Sequence, residues 1–246
     1  MQTFYLSDPG KVRTHNEDNV TILNNNNEEF LLAVADGMGG HKAGEVASKI
    51  AIDNLVDEFN KLTTFGSKEN AIEWLRNIVV EINNMIFDYT NNNPNSKGMG
   101  TTLVLAVKTN DYILFGNIGD SSGYVVKNQK LHKVTKDHTL VNLLVSTGEL
   151  TEEEARYHPR KNVLMRALGA NDPIEIDIFD VDPNIEGIFL CSDGLTNMLS
   201  EEQIEKILNS DLPIEEAVVK LIKKSNSRGG TDNITIAYLK KESGDL

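Results

Sequence analysis

The sequence predicts an α+β fold in which antiparallel sheets pack against helices. Apolar runs typical of strands follow one another between residues 102 and 126. Long stretches with helical periodicity stand apart from them, at 43–59 and 68–89. Strands grouped with strands and helices with helices are unlike the regular alternation of a parallel βαβ winding.

The first elements follow from apolar periodicity. Residues 30–35 form a continuous apolar run typical of a buried strand, and the asparagines at 24–27 predict a turn that joins it to a preceding antiparallel strand. The stretches 43–59 and 68–89 each place their apolar side chains on one stripe, which predicts two amphipathic helices. A second asparagine-rich loop follows at 91–95.

The second half of the chain is predicted to be richer in strands. The strands expected there are 102–108, 111–118 and 123–126, which form a meander, then a half-exposed strand at 174–180, then 187–192 and 234–239. Between the last two strands, Ser200 to Gln203 fits a capping box at the start of a helix. Pro213 suits the first turn of a second helix, at 214–223.

Residues 137–170 interrupt this pattern. A helix-like stretch at 139–147 is followed by Gly148 and a capping-box tetrad at 151–154. The stretch is too apolar to hide its side chains without tertiary neighbours. We interpret 137–170 as a flap that lies on a single domain of residues 1–246 and faces substrate, and an ordinary helix pair is the alternative.

Composition narrows the function. The 246 residues can bury a large core, and a formal charge of −13 disfavours nucleic acids and anionic membranes as partners. No apolar run approaches the ~18 residues of a membrane span and no signal-peptide pattern is present, so we expect a cytoplasmic protein. Cys191 is the only cysteine, which excludes an internal disulfide and a thiolate metal cage and predicts a role in core packing.

Four aspartates lie beside the predicted strands. Asp36, Asp120 and Asp193 each follow an apolar run, and Asp232 directly precedes one. If that last strand is antiparallel to its neighbours, its beginning meets their ends at one rim of the sheet. Taken singly, an Asp-Gly pair is usually a turn. Together, the four carboxylates predict one site for Mg²⁺ or Mn²⁺, which take oxygen ligands and keep several waters.

Six short blocks stand in a fixed order along nearly the whole chain. They are Arg13 to Asp18, Asp36 to His41, Gly100 to Thr102, Gly119 to Ser121, Ser192 to Leu195 and Asp232 to Thr235. Together they resemble the signature blocks of the metal-dependent type 2C serine/threonine protein phosphatases, the PPM family, in its compact bacterial form. The resemblance implies a four-layer α-β-β-α sandwich with a binuclear Mn²⁺ or Mg²⁺ centre in a cleft at one end of its sheets.

The resemblance also assigns metal ligands. Asp36 would bridge two metal ions, and the carbonyl of Gly37 would bind one of them. Asp193 and Asp232 would complete the other side. A weaker third metal site, found in bacterial members, would use Asp120 and Asp193.

Two further roles and one departure follow from the same blocks. Asp18 would hold metal-bound waters, and Arg13 would grip the substrate phosphate. The Gly-Asp-Ser block is usually followed by arginine, whereas this chain has Ser122. The salt bridge of that arginine is therefore not expected, but the metal ligand remains.

Phosphate-ester hydrolysis explains why such residues are needed. The substrate is a dianion with a poor leaving group, so the site must neutralise charge, supply a nucleophile and deliver a proton. Two ions roughly 3.5–4 Å apart activate a water for in-line attack. Arg13 suits bidentate contact with phosphate oxygens. His41, the imidazole nearest to Asp36 in sequence, is a candidate general acid, and a cap or water contact is its alternative.

Other enzyme classes fit less well. Residues 119–123 match G-x-S-x-G, but a nucleophile elbow needs a helix after the serine and a strand is predicted there. A cysteine-dependent phosphatase needs an arginine six residues after Cys191, where Asn197 stands. The glycines of 37–40 lack the Lys-Ser or Lys-Thr of a P-loop.

The sequence thus predicts a monomeric signalling enzyme that hydrolyses phosphoserine and phosphothreonine in proteins with a metal-activated water. It would hold two core Mn²⁺ or Mg²⁺ ions and a weaker third, and would reverse the action of a bacterial kinase of the eukaryotic type. One alternative is a phosphatase of an anti-sigma-factor antagonist, although such chains commonly carry sensor domains. The other is a pseudophosphatase that only binds, which is expected to lack an acidic ligand, whereas all four aspartates are present.

Overall fold

Eleven strands and seven helices are found in the part of the chain that the structure describes, residues 1–39 and 43–242 of a computed structural model. The strands are β1 (Gln2–Asp8), β2 (Asp18–Asn24), β3 (Phe30–Met38), β4 (Gly100–Thr101), β5 (Leu103–Lys108), β6 (Ile113–Ile118), β7 (Ser122–Lys127), β8 (Lys130–Lys133), β9 (Asp177–Val181), β10 (Gly187–Cys191) and β11 (Ile234–Lys240). The helices are α1 (Ala43–Lys61), α2 (Lys68–Asn92), α3 (Leu140–Ser146), α4 (Glu152–Tyr157), α5 (Asp193–Thr196), α6 (Glu201–Leu208) and α7 (Ile214–Ser227).

The strands form two antiparallel sheets. The first has the order β1-β11-β10-β7-β8, and the second has the order β2-β3-β5-β6-β9, with β4 paired to the end of β3. Helices flank both sheets, so the predicted α+β class with antiparallel sheets is confirmed. No helix of residues 1–39 and 43–242 is long and apolar enough to cross a membrane.

Three layers of apolar side chains hold the sandwich together. The alternation along β3 shows how they are separated, because Leu31 packs toward α1 and α2 while Leu32 packs toward the other sheet. On the far side, Phe189 of β10 and Ile236 of β11 pack against α6 and α7. The order of layers is therefore helix, sheet, sheet, helix, which matches the expected four-layer sandwich.

The predicted helices are confirmed, and their ends follow the capping signals. Ser67 caps α2 by accepting the Asn70 N–H. The capping box of α6 joins Ser200 and Gln203 reciprocally. Pro213 lies at the N-cap of α7, immediately before its first residue.

The predicted meander is wrong at its last step. β5 and β6 are neighbours in the second sheet, but β7 crosses into the first sheet and pairs with β10. Both faces of β6 are buried, so apolar alternation could not reveal which sheet the next strand joins. The crossing occurs at residues 119–121, which brings that turn to one end of both sheets.

Residues 137–170, here called the flap segment, carry α3 and α4. The capping box predicted at Thr151 is present. At its start the His138 N–H donates to the Gly119 carbonyl at 2.9 Å, and near its end Leu168 and Thr101 exchange two backbone hydrogen bonds of 3.0 Å. Hydrogen bonds therefore hold both ends of the flap segment to the rim where the chain crosses from one sheet to the other.

Candidate metal centre

A cleft of about 640 Å³ opens at that rim. Strand ends and turns from both sheets form one wall, and the flap segment forms the other. The predicted residues that line it are Arg13, Asp36, Gly37, Asp120, Asp193 and Asp232. The structure thus brings together the four aspartates that were predicted from separate parts of the sequence.

Asp36 is held by its backbone. It lies inside β3 rather than after its end, because pairing with β2 and β4 extends the strand as far as Met38. The Asp36 N–H donates to the Thr102 hydroxyl at 3.0 Å. The Asp36 carbonyl accepts from the Thr102 N–H and the Thr101 hydroxyl, both at 2.9 Å. These bonds fix the backbone from which the carboxylate points into the cleft.

Asp18 lies directly across from Asp36 in the β2–β3 register and is only 5% exposed. Its Oδ2 accepts the Ser192 hydroxyl at 2.8 Å, and Ser192 Oγ in turn accepts the Thr235 N–H at 3.0 Å. Its other oxygen, Oδ1, is buried and has no hydrogen-bond partner among residues 1–39 and 43–242. One carboxylate oxygen is therefore left without a protein partner among the described residues, on the strand next to Asp36.

Glycine is required at position 37. A Cβ there would lie 2.2 Å from the carbonyl oxygen of Gly44 and 2.5 Å from that of Glu17. The first turn of α1 therefore packs against the backbone of β3 with no room for a side chain. The same contact keeps Gly37 in the wall of the cleft.

Asp120 is placed by the turn in which the chain changes sheet. Gly119 has φ of +101°, and a Cβ there would meet the Thr102 side chain at 2.5 Å. The Gly119 N–H donates to His138 Nδ1 at 3.1 Å. The turn that aims Asp120 into the cleft is thus braced by the first residues of the flap segment.

Asp193 and Asp232 approach from the first sheet. Asp193 begins α5, and its Oδ2 accepts the Asn197 amide at 3.0 Å. Asp232 precedes β11, and its Oδ2 accepts Arg13 Nη2 at 2.9 Å. Because β11 is antiparallel to β10, the beginning of one strand and the end of the other meet at this rim, as predicted.

The gathered carboxylates perturb one another. Burial, with Asp193 as the main neighbouring charge in each case, raises the pKa of Asp18 to about 7 and that of Asp120 to about 7. Burial and the surrounding aspartates raise the pKa of Asp36 well above its usual range. Burial, followed by repulsion from Asp232, also raises the pKa of Asp193. Arg13, which pairs with Asp232, compensates only part of this negative charge.

This donor set fits a divalent cation. In residues 1–39 and 43–242, no three His, Cys, Asp or Glu side chains are placed where they could jointly hold one ion. Hard cations do not need such a cage, because backbone carbonyls and waters complete their coordination. The clustered carboxylates and the unpartnered Asp18 oxygen are what an oxygen-liganded cation would stabilise.

Asn233, to which the sequence analysis gave no role beyond its place in the block Asp232 to Thr235, holds the loop that carries Arg13. Its Oδ1 accepts the Glu17 N–H at 2.8 Å, and its Nδ2 donates to the carbonyls of Pro9 and His15 at 3.0 and 2.9 Å. The contacts join residues more than 200 positions apart. No local pattern could have predicted them.

The flap segment also contributes a cationic side chain, Arg166, that the sequence analysis did not identify. Arg166 lines the cleft, and its Nη1 donates to Asp177 Oδ1 at 2.6 Å. His138 lies beside both, with Nε2 3.2 Å from Asp177 Oδ2. Burial lowers the pKa of His138, despite the hydrogen bond to Asp177 that raises it.

The predicted general acid, His41, lies outside the residues that the structure describes.

Serine and cysteine nucleophiles do not fit this geometry. The Ser121 hydroxyl is buried and hydrogen-bonded to the Thr102 hydroxyl at 2.8 Å, and strand β7 follows it instead of a helix. Cys191 is fully buried in the core, as predicted, and burial raises the pKa of its thiol.

The chain is similar to known protein phosphatases over nearly its whole length. The family model described as Protein phosphatase 2C matches residues 11–230. The "Serine/threonine phosphatase stp" of Listeria monocytogenes is 42% identical over 243 residues, which cover 98% of this chain and 96% of that protein. The "Protein phosphatase PhpP" of Streptococcus pneumoniae is 35% identical over 250 residues, which cover 100% of this chain and 99% of that protein.

Solved structures resemble the fold closely. A serine/threonine phosphatase from S. agalactiae superposes with a TM-score of 0.92 at 34% identity, covering 98% of this chain and 99% of that one. The catalytic domain of the phosphatase PstP, solved in complex with two manganese ions, superposes with a TM-score of 0.83 at 34% identity, covering 96% of each chain.

Proposed function

This chain belongs to the protein phosphatase 2C family and is a metal-dependent protein serine/threonine phosphatase, and we propose that its two core cations are held by Asp36, Gly37, Asp193 and Asp232. The observation that carries the proposal is the gathering of these groups in one cleft whose negative charge Arg13 compensates only in part. Either Mn²⁺ or Mg²⁺ suits such oxygen ligands.

Two bound cations would supply charge neutralisation for the phosphate dianion and would lower the pKa of a water molecule. The chain places Asp36 between the two sheets, where it faces Asp193 and Asp232 across the cleft. Asp18 lies beneath, and its free oxygen is suited to accept a hydrogen bond from water and so orient it. Its remaining oxygen is fixed by Ser192, which makes Asp18 a positioning residue.

Arg13 is the proposed phosphate-binding residue. Its side chain is 54% exposed at the mouth of the cleft, and one guanidinium nitrogen bonds to Asp232. The Asp232 charge raises the pKa of Arg13, so the guanidinium stays protonated. The other donors are available for a planar, bidentate contact with phosphate oxygens.

The departing serine oxygen needs a proton. Among residues 1–39 and 43–242 no imidazole lines the cleft, since His138 lies outside its lining with both ring nitrogens in polar contacts. His41 remains our candidate general acid, with a capping or water contact as its alternative.

The finer features are also proposals. A weaker third cation would use Asp120 with Asp193, which line the same cleft. The flap segment, as part of a single domain of residues 1–246, would face the substrate, because Asn162 and residues 164–167 contribute to the cleft wall. We further propose, on the family resemblance, a cytoplasmic monomer that opposes a serine/threonine kinase. An anti-sigma-factor antagonist is the alternative substrate.

A purified-protein assay tests this proposal. The substrates are p-nitrophenyl phosphate and a phosphothreonine peptide, each with Mn²⁺, Mg²⁺ or excess chelator. We expect hydrolysis of both only with metal. Undiminished hydrolysis in chelator would contradict the metal mechanism, and peptide binding without hydrolysis would instead support a non-catalytic binding module.

A further inference from the structure

The end of the sandwich opposite the cleft contains a second cavity, of about 160 Å³. It lies where β5 ends, β10 begins and β11 ends. Its lining combines apolar side chains from the inter-sheet core, Ile185 and Leu239, with the cationic side chains Lys108 and Lys241. We call this region the lysine end and the cleft region the carboxylate end.

Lys108 is a buried cation. In β5, Val104 and Ala106 face the other sheet, so Lys108, two residues further on, points toward the same space. The residue is only 9% exposed. Its ammonium group makes one long hydrogen bond, 3.4 Å, to the Thr109 carbonyl and lies 5.7 Å from the centre of the Phe30 ring. An ammonium has three donors, so these contacts leave it under-satisfied.

Within the described part of the chain, no carboxylate forms an ion pair with the two lysines of this cavity. None of the ion pairs among residues 1–39 and 43–242 includes Lys108 or Lys241. Glu186 lines the cavity, but its oxygens accept the N–H groups of Asn128 and Gln129 at 2.8 and 3.1 Å. The N-terminal amine, a further cation, pairs with Glu242 at 3.4 Å.

Other charges act on Lys108 only at longer range. Burial is the main cause that lowers the pKa of Lys108, and Lys241 lowers it further, whereas Glu28 raises it. The Thr109 hydroxyl, a possible internal partner, already accepts the N–H groups of Asp111 and Tyr112. The folded chain therefore buries the Lys108 side chain beside a cavity, without an ion-pair partner among the described residues.

We propose that this cavity binds a small oxyanion with the size and charge of inorganic phosphate, held by Lys108 and Lys241. Its volume of about 160 Å³ is enough to admit a tetrahedral oxyanion. An anion there supplies the acceptors that the Lys108 ammonium lacks. The site is separate from the catalytic cleft, at the opposite ends of the same strands.

An NMR titration of the Mg²⁺-loaded protein with inorganic phosphate, at constant ionic strength, distinguishes the two ends in one experiment. Amides of 108–110, 185–187 and 239–241 report the lysine end, and amides near 36 and 193 report phosphate in the catalytic cleft. We expect saturable shifts at the lysine end in the millimolar range. Absence of such shifts up to about 20 mM, which corresponds to a binding free energy weaker than ~2.3 kcal/mol, overturns the proposal.

The variants identify the ligands. Lys108→Met should weaken binding at the lysine end at least tenfold, and Lys241→Met about threefold, while hydrolysis of p-nitrophenyl phosphate stays at the wild-type rate. Lys240→Met is the matched control. Lys240 directly precedes Lys241, but its side chain lies on the other face of β11, so this variant should leave the shifts unchanged. Wild-type shifts in Lys108→Met overturn the assignment.

Other anions test the chemistry. Sulfate should reproduce the phosphate shifts because it is also a tetrahedral oxyanion. Acetate binding without sulfate or phosphate binding would overturn the tetrahedral assignment in favour of a carboxylate. Equal shifts with chloride at the same concentration would show general screening and would overturn the site altogether.

Discussion

The two ends of the sandwich contain uncompensated charges of opposite sign. At the carboxylate end, five aspartates with restricted positions repel one another, and each of the four predicted ligands lies in or beside a strand or a glycine-braced turn. At the lysine end, two lysine side chains line a small cavity of mixed polarity, and Lys108 is the more buried of the two. Both ends contain charge that the described chain does not neutralise, which predicts a ligand of opposite sign.

The ends differ in how firmly that charge is held. Asp36 is fixed through three backbone hydrogen bonds and Asp193 through the Asn197 amide, so their geometry is set before a ligand arrives. Lysine ammonium groups end four-carbon stems and must be ordered by the ligand itself. Pre-organised charge supports catalysis, whereas loosely held charge supports weak binding. Substitutions at the carboxylate end should therefore have the larger effects.

The largest effect is expected for Asp36→Asn. Loss of a shared anionic ligand should lower kcat at least 100-fold, or about 2.7 kcal/mol of barrier. Metal-dependent hydrolysis of p-nitrophenyl phosphate measures this, and Asp193→Asn should behave alike. Asp211→Asn removes an exposed carboxylate elsewhere and is the control. More than a tenth of wild-type turnover in both cleft variants would contradict the metal assignment.

The same variant tests the charge argument without metal. Asp36 lies among carboxylates that disfavour its charged form, so the neutral amide should make the metal-free protein more stable. Thermal melting in chelator should show a higher midpoint for Asp36→Asn than for wild type. An unchanged or lower midpoint would mean that the repulsion is relieved in the wild-type protein by other means.

The sequence predicted the carboxylate end well because its signals are local. An apolar run followed by an aspartate with a glycine beside it indicates a strand end, and the blocks at Asp36, Asp120 and Asp193 all have this form, although β3 continues past Asp36 to Met38. The buried runs and helical stripes likewise predicted the sheets and the flanking helices. The strands β1 and β8 were missed, since one is a half-exposed edge strand and the other has only four residues.

What the sequence could not predict depends on distant pairings. The clamp from Asn233 to the loop of Arg13, and the bond from Gly119 to His138, join residues without any shared local pattern. The crossing from β6 to β7 was missed because both strands are buried on two faces. Lys108 looked like the polar end of an apolar strand, and only the packing of the second sheet shows that it is buried.

Arg13→Ala should have the next largest effect. Loss of the guanidinium should raise KM and lower kcat/KM for p-nitrophenyl phosphate about 10- to 100-fold, because this contact binds both the ground state and the transition state. Arg76→Ala, on exposed α2 surface, is the control. Full recovery by Arg13→Lys would show that charge alone matters and would contradict the bidentate contact.

Asp120→Ala should have a smaller effect on turnover. If Asp120 and Asp193 hold a peripheral cation, that cation should bind weakly, and its loss should lower kcat about tenfold while two metals per chain remain. Equilibrium metal analysis and steady-state kinetics on the same samples separate these outcomes. Wild-type activity on every substrate would remove the third site from the mechanism.

Changes in the flap segment should affect selectivity rather than chemistry. Arg160 is exposed and its side chain makes no ion pair within the described residues. Arg160→Ala should change the ratio of kcat/KM between two phosphopeptides by roughly threefold, about 0.7 kcal/mol, with p-nitrophenyl phosphate hydrolysis unchanged. Identical peptide preferences would favour the ordinary helix pair over a substrate-facing flap.

The smallest effect is expected at the lysine end, where Lys108→Met should raise the free energy of unfolding by up to ~1 kcal/mol at pH 7, or roughly 2–4 °C in Tm. Burial lowers the pKa of Lys108 in the folded protein, so its charge destabilises the fold fully below that pKa. As pH rises from the folded pKa toward the unfolded value of 10.5, the folded lysine loses its proton first and the wild-type protein gains stability. Urea unfolding across this range should therefore show the difference between wild type and variant shrinking as pH increases. Added phosphate should shrink it at pH 7 as well, because a ligand that binds only the folded wild type stabilises it by mass action. If the difference in unfolding free energy between wild type and variant stays constant with pH and with phosphate, the Lys108 ammonium group is already compensated in the folded chain. In that case only the carboxylate end would contain uncompensated charge.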